Sequence, residues 1–311
     1  MLQVDTIASH EAAGVQVASL PPIGVHVLAF GARGYGYAAA NLAASLKHFS
    51  PDVHITAHVG KGAEIPATHR HLFDKITGIA IPDDLKGNPD PGFAKANLAD
   101  ILPKGKSLYI DADSIVLKDI VPFLQELDKL DKPFAMEVIG KGDAKAPPAY
   151  FDWVKPTGML DKYKLPRDAT LYGVQSSWMF FDLPAAGDFA DTVAESLEDW
   201  TTYELRGHWG WTIPDEVAYS SACSRMGYDP TGPKGAICFG SRNLHNSVEA
   251  LQQEFHILSL FGQGVGKPMV KPFYFEAYDR ILHTVYTSLG MDHAYNWPMI
   301  MRDKYVNHTK R

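Results

Sequence analysis

Between residues 23 and 117, apolar runs of strand length alternate with segments whose apolar residues recur at helical spacing, and this alternation restricts the fold most. Ile23-Gly-Val-His-Val-Leu-Ala-Phe30 is rich in β-branched and aromatic residues and reads as a buried strand. The glycines of Gly31-Ala-Arg-Gly-Tyr-Gly36 break it. From Tyr37 to Phe49, Leu42, Leu46 and Phe49 share one helical face, and after the Ser50-Pro-Asp turn Val53–Val59 returns as a strand. A third strand is expected over Ile76–Ile81, and a short amphipathic helix over Phe93–Leu102, stopped by Pro103 and Gly105. Leu108–Ile110 is strand-like, and Ile115–Leu117 is expected to resume that strand. Strands alternating with helices predict an α/β fold with a mixed, mainly parallel sheet flanked by helices. In such sheets ligands collect at the carboxyl ends of the strands.

The second half is less regular. Phe134–Val138 and Ser177–Asp182 read as strands, and the Gly-, Pro- and Lys-rich stretch Gly140–Lys164 as a loop or flap. A helix is expected through Phe189–Leu197, and another opening at Thr212, whose side chain would cap it with Pro214 in the first turn. Phe273–Leu289 repeats apolar residues with helical periodicity. The organisation expected is an extension over residues 1–22, a catalytic domain over 23–240 with halves at about 23–125 and 126–240, and a helical region over 241–311 packed on it.

Composition excludes several classes. With 46% hydrophobic and 21% charged residues, the 311-residue chain has ample material for a core and no signature of disorder. The formal charge of -7 argues against a broad footprint for duplex nucleic acid. The two cysteines, Cys223 and Cys238, have no metal-site spacing, and a disulfide framework is not expected. The acidic start lacks the pattern of a signal peptide, and no segment approaches the roughly 18 apolar residues of a membrane span. A cytoplasmic protein without an integral membrane span is the expectation; oligomeric state is not legible.

The chemistry concentrates in Ser107-Leu-Tyr-Ile-Asp-Ala-Asp-Ser-Ile-Val-Leu-Lys-Asp-Ile120. On a continuing strand Asp111 and Asp113 share a face, and unpaired like charges that close repel. Something positive should lie between them. Mg²⁺ or Mn²⁺, which take hard oxygen ligands and leave coordination sites for water and phosphate, answers that need. Ala112 between them leaves room for the edge of a ribose or nucleotide. The competing reading is a plain turn, where Asp is common.

This string closely resembles the DxD segment of GT-A glycosyltransferases, especially glycogenin-like and lipopolysaccharide-galactosyltransferase-like enzymes. The resemblance extends upstream: Ala29-Phe30-Gly31, the aromatic pair Tyr35 and Tyr37, and Asn41–Phe49 look like that fold's first strand, nucleotide loop and first helix. Lys95 sits where those families often carry a basic residue that meets the donor diphosphate. Tyr172–Asp182 is similar to the acceptor-side strand, and Pro214-Asp-Glu-Val-Ala218 to an acidic element beside the sugar.

The resemblance implies a metal-dependent transferase that uses a nucleotide-sugar donor, a UDP-sugar, and a hydroxyl acceptor on a glycan, lipid or protein. Asp111 and Asp113 would hold the metal. Those families often add a C-terminal His followed by a Lys-Pro segment; His245 is the candidate ligand, and Lys267 or Lys271 the basic residue, although the usual compact spacing is absent. Asp215 or Glu216 would act as base if the reaction inverts, and Gln175 would line the sugar's β-face if it retains. Trp200, Trp209 and Trp211 are candidates for closing over the donor or stacking the acceptor. Two other readings stay open at this point: a hydroxymethylated DNA base as acceptor, and a non-catalytic sugar-nucleotide or carbohydrate-binding protein.

Overall fold

The computed structural model describes residues 20–83, 90–148, 156–202, 215–239, 245, 247–260 and 272–292; Trp209, Trp211, Thr212, Lys267 and Lys271 lie outside them. The first half runs β1 (Gly24–Ala29), α1 (Arg33–Phe49), β2 (Ile55–Val59), β3 (Lys75–Gly78), α2 (Pro91–Ala96), α3 (Leu98–Ile101), β4 (Gly105–Ile110), β5 (Ser114–Val116) and α4 (Val121–Asp128). The second runs β6 (Phe134–Gly142), α5 (Pro156–Lys162), β7 (Leu171–Leu183), α6 (Gly187–Thr202), α7 (Asp215–Met226), β8 (Ile237–Phe239), α8 (Val248–Glu254), β9 (Ile257–Ser259) and α9 (Pro272–Ser288).

Six strands form the main sheet in the order β3-β2-β1-β4-β7-β6. β1 pairs in parallel with both β2 and β4, and β2 with β3; β7 runs against β4 and β6. The expected mixed, mainly parallel sheet is therefore present. Alternation along β4 sends Leu108 and Ile110 into the core under α1 and α9, and Tyr109 into the opposite core with α6 and α7.

Several local expectations change. The helix after β1 starts at Arg33, so Gly34 and Gly36 lie inside it. Glycine weakens a helix by about 1 kcal/mol relative to alanine. At Gly36 the reason is contact, because a Cβ there would lie 1.9 Å from the Glu64 carbonyl oxygen. The helix over Phe93–Leu102 is two short helices split at Asn97, whose amide donates to the Phe93 carbonyl at 2.8 Å and competes with helical bonding. Ahead of it, Asp90 caps α2 by accepting from the N–H groups of Gly92 and Phe93, with Pro91 in the first turn.

The largest correction concerns Ile115–Leu117, which does not resume β4. The chain turns at Asp111-Ala112-Asp113, and β5 enters a second sheet of order β5-β9-β8, with Ser114 opposite Ser259. An apolar triplet carries no address, and its partner here comes from the far end of the chain. Ser177–Asp182 is the second part of a 13-residue strand, and within Gly140–Lys164 β6 continues to Gly142 and α5 forms at Pro156–Lys162.

His26 on β1 and His58 on β2 make a buried pair, with His26 Nδ1 3.1 Å from His58 Nε2. Burial, then repulsion from His58, His54 and Lys75, lowers His26 to about 3; burial and Lys75 lower His58 to about 4. An unfolded histidine titrates near 6.5. Below that pH the unfolded chain takes up protons that the fold refuses, so stability complete above about 6.5 is lost as pH falls. The loss is roughly 2 kcal/mol per histidine at pH 5. Thermal melts between pH 7 and 5 should show His26→Leu/His58→Leu losing less stability than wild type over that range; parallel curves would contradict it. Gly36→Ala should lower stability by on the order of 2–4 kcal/mol in urea melts, with no such loss on Gly187→Ala, where an added Cβ meets nothing within 4 Å.

Candidate active site

At the carboxyl end of β4, Tyr109 and Asp111 point to the same side, and the Tyr109 hydroxyl donates to Asp111 Oδ1. Lys95 reaches the same carboxylate from α2, its Nζ 2.8 Å from Oδ1 and 2.9 Å from Oδ2. The backbone carrying Lys95 is tied to α7, because the Tyr219 hydroxyl donates to the Lys95 carbonyl at 2.9 Å.

β7 supplies the next residues through an irregularity. Met136 on β6 pairs with Met179 but Glu137 pairs with Gln175, so residues 176–178 have no register partner on β6. Bulges of this kind redirect side chains. Here Ser176 accepts from Lys95 Nζ at 3.2 Å and donates to Glu216 Oε1 at 3.3 Å. Gln175 Nε2 donates to the same oxygen at 3.1 Å. On an ideal strand two successive side chains would face opposite ways.

Four carboxyl groups, Asp111, Asp113, Asp215 and Glu216, lie within electrostatic reach of one half-buried ammonium, that of Lys95. Burial opposes the charge on Lys95, but Asp111, Asp215, Tyr109 and Glu216 hold it protonated, well above the usual lysine range. For the acids the balance is reversed. Burial, then Asp111, raises Asp113; burial raises Asp215 against the pull of Lys95; burial, then Asp215, raises Glu216. Two carboxyl oxygens, Asp113 Oδ1 and Asp215 Oδ2, are buried and accept from no donor among the described residues. Hard oxygen donors with an unshared buried lone pair, in a cluster short of positive charge, fit a divalent cation such as Mg²⁺ or Mn²⁺.

A cleft of about 370 Å³ opens beside this cluster. Of the residues expected in the donor site, it is lined by Phe30, Gly31, Tyr35, Lys95, Asp111, Ala112 and Asp113. Ala29 is buried in the core, and Tyr37 lies beside Arg33; neither lines the cleft. His245 is not brought to Asp111 and Asp113: its Nε2 is 2.9 Å from Glu254 Oε2. Among the described residues, no three His, Cys, Asp or Glu side chains gather in a way that would hold a metal. Tyr109, Ser176 and Tyr219 belong to the site and were not anticipated. Tyr109 was findable, being two residues before Asp111 on one strand.

The same arrangement of sheet and helices occurs in solved structures. A structure of the galactosyltransferase LgtC with donor and acceptor sugar analogs matches at a TM-score of 0.52, covering 84% of this chain and 95% of LgtC at 13% identity. The chain has the GT-A glycosyltransferase fold. The bifunctional glycosyltransferase WbbM matches at 0.51 over 89% of this chain and 53% of its own, at 10% identity, and an active-site mutant of LgtC at 0.50 and 13%. No family model and no curated protein matches the sequence, and at these identities the likeness is one of GT-A fold.

Within this cluster the raised acids weaken the fold as pH rises, since the unfolded chain ionises them more readily. Glu216→Gln preserves an acceptor for Gln175 and removes one such acid. In metal-free protein at pH 8 to 9 it should melt at least about 2 °C above wild type, equivalent to roughly 1 kcal/mol, with a smaller gain at pH 6. An equal or lower melting temperature at pH 9 would count against the buried-acid assignment.

Proposed function

We propose that this protein is a cytoplasmic, metal-dependent glycosyltransferase that moves a sugar from a nucleotide-sugar donor, a UDP-sugar, to a hydroxyl of a glycan, lipid or protein acceptor. The observation that carries the reading is the buried cluster of Asp111, Asp113, Asp215 and Glu216 around Lys95, beside an open cleft at the end of β4. Support comes also from the GT-A fold. LgtC was solved with donor and acceptor sugar analogs, the ligand classes this reading requires.

Asp111 and Asp113 would hold Mn²⁺ or Mg²⁺, which when bound supplies Lewis-acid stabilisation of the departing diphosphate. Lys95 adds fixed positive charge for the same leaving group. Tyr35, 44% exposed at the cleft's rim, offers a face for the base, while Gly31 and Ala112 leave room for close approach. Glu216, with Oε1 engaged by Gln175 and Ser176, lies behind the cleft's lining and holds Ser176 against Lys95. Asp215, buried beside it, would take the acceptor's proton in an inverting reaction. Among the described residues no helix is long and apolar enough to cross a membrane. The charge of -7 lends no support to duplex DNA as the acceptor's carrier.

The test is release of UDP from a panel of UDP-sugars with Mn²⁺. Turnover of at least one donor is expected, abolished by chelation and reduced about 10²–10³-fold in Asp111→Asn and in Asp113→Asn, with unchanged circular dichroism. Wild-type rates in either variant, or indifference to chelator, would refute the assignment.

A further inference from the structure

Lys95 stands where a cation is wanted. Both oxygens of Asp111 lie within 2.9 Å of its Nζ, and Oδ1 also accepts from Tyr109, whereas Asp113 Oδ1 accepts from no donor. The two halves of the acidic pair are therefore unlike: one is closed by this chain's own ammonium, and the other keeps a buried oxygen that no donor satisfies among the described residues. A divalent ion taking oxygen from both must displace that ammonium or sit against it, and like charges at such distances in a buried site repel strongly.

The backbone around Lys95 has little freedom to yield. Asp90 caps α2, and Tyr219 holds the Lys95 carbonyl, so the ammonium moves by rotation of its own side chain. It already touches a second position, since Ser176 Oγ is 3.2 Å from Nζ and is bonded in turn to Glu216. Lys95 also lines the cleft, where an incoming diphosphate presents stronger anionic acceptors than a single carboxylate.

We propose that Lys95 is an internal counter-ion that closes the Asp111 half of the metal site in the empty enzyme and is drawn off by the donor's diphosphate, so that metal binds tightly only together with nucleotide. The proposal rests on the transferase reading above and adds an order to it. Metal and nucleotide are coupled, each raising the affinity for the other by the same factor. Lys95 acts as a gate on metal binding as well as a charge on the leaving group.

The test is Mn²⁺ affinity, measured by the electron paramagnetic resonance signal of free Mn²⁺ with and without saturating UDP. Wild type should bind Mn²⁺ alone weakly and at least about tenfold more tightly with UDP, a difference of roughly 1.4 kcal/mol. Lys95→Met should bind Mn²⁺ alone at least about tenfold more tightly than wild type does, while its affinity for UDP falls. A merely structural lysine would weaken both on removal. Lys95→Met binding Mn²⁺ alone no better than wild type would overturn the proposal. Should that variant not fold, Lys95→Arg carries the test: a bidentate guanidinium on Asp111 predicts weaker Mn²⁺ binding alone and a larger gain from UDP, and no change in either would overturn it. Absence of Mn²⁺ binding by wild type even with UDP would instead sink the transferase reading, and the gate with it.

Discussion

A single half-buried ammonium, that of Lys95, faces the carboxyl groups of Asp111, Asp113, Asp215 and Glu216, and the rest of the structure is arranged to hold that imbalance in place. The four acids come from three places: Asp111 from a strand end, Asp113 from the turn after it, and Asp215 and Glu216 from the first turn of α7. No local sequence preference would gather them. They are gathered because α2 and α7 pack against β4 and β7 on one face of the main sheet, around Tyr109, Tyr219 and Phe134. Burying several carboxyls beside one cation weakens a fold, and a site that tolerates this is kept for what it binds.

The other side of the sheet explains how the turn at Asp111-Ala112-Asp113 is secured. Val116 N–H donates to Ser45 Oγ on α1, and Leu260 N–H donates to the Asp113 carbonyl. β9 zips against β5, and Tyr278 of α9 lies in the electrostatic field of Asp113. The end of the chain therefore clamps the acidic turn from behind. The carboxyl side of the turn is left to face the cleft, bounded by Phe30 and Gly31 from the loop after β1 and by Tyr35 from the first turn of α1.

Much of this was legible in the sequence, and the limits have physical causes. The β-loop-α-β start was readable because both its strands and its helix announce themselves by periodicity within a few residues. Asp111 and Lys95 were readable through the DxD resemblance. The fate of Ile115–Leu117 was not, because sheet membership is a long-range property and the partner strand Ile257–Ser259 gives no sign of it. Ser176 was hidden because its orientation comes from a mismatch in pairing between β6 and β7, which neither strand shows alone. The resemblance implied His245 as a ligand, but its imidazole lies against Glu254, 2.9 Å from Oε2.

The central claim is that Asp111 and Asp113 form a cation site that a nucleotide diphosphate completes. The most direct measurement is a crystal structure grown with Mn²⁺ and UDP, with anomalous scattering recorded at the manganese edge. One strong anomalous peak is expected within coordination distance, about 2.0–2.3 Å, of oxygens from both Asp111 and Asp113 and of the diphosphate. A peak held elsewhere, or UDP bound in the cleft with Lys95 still on Asp111 and no metal between the acids, would contradict it.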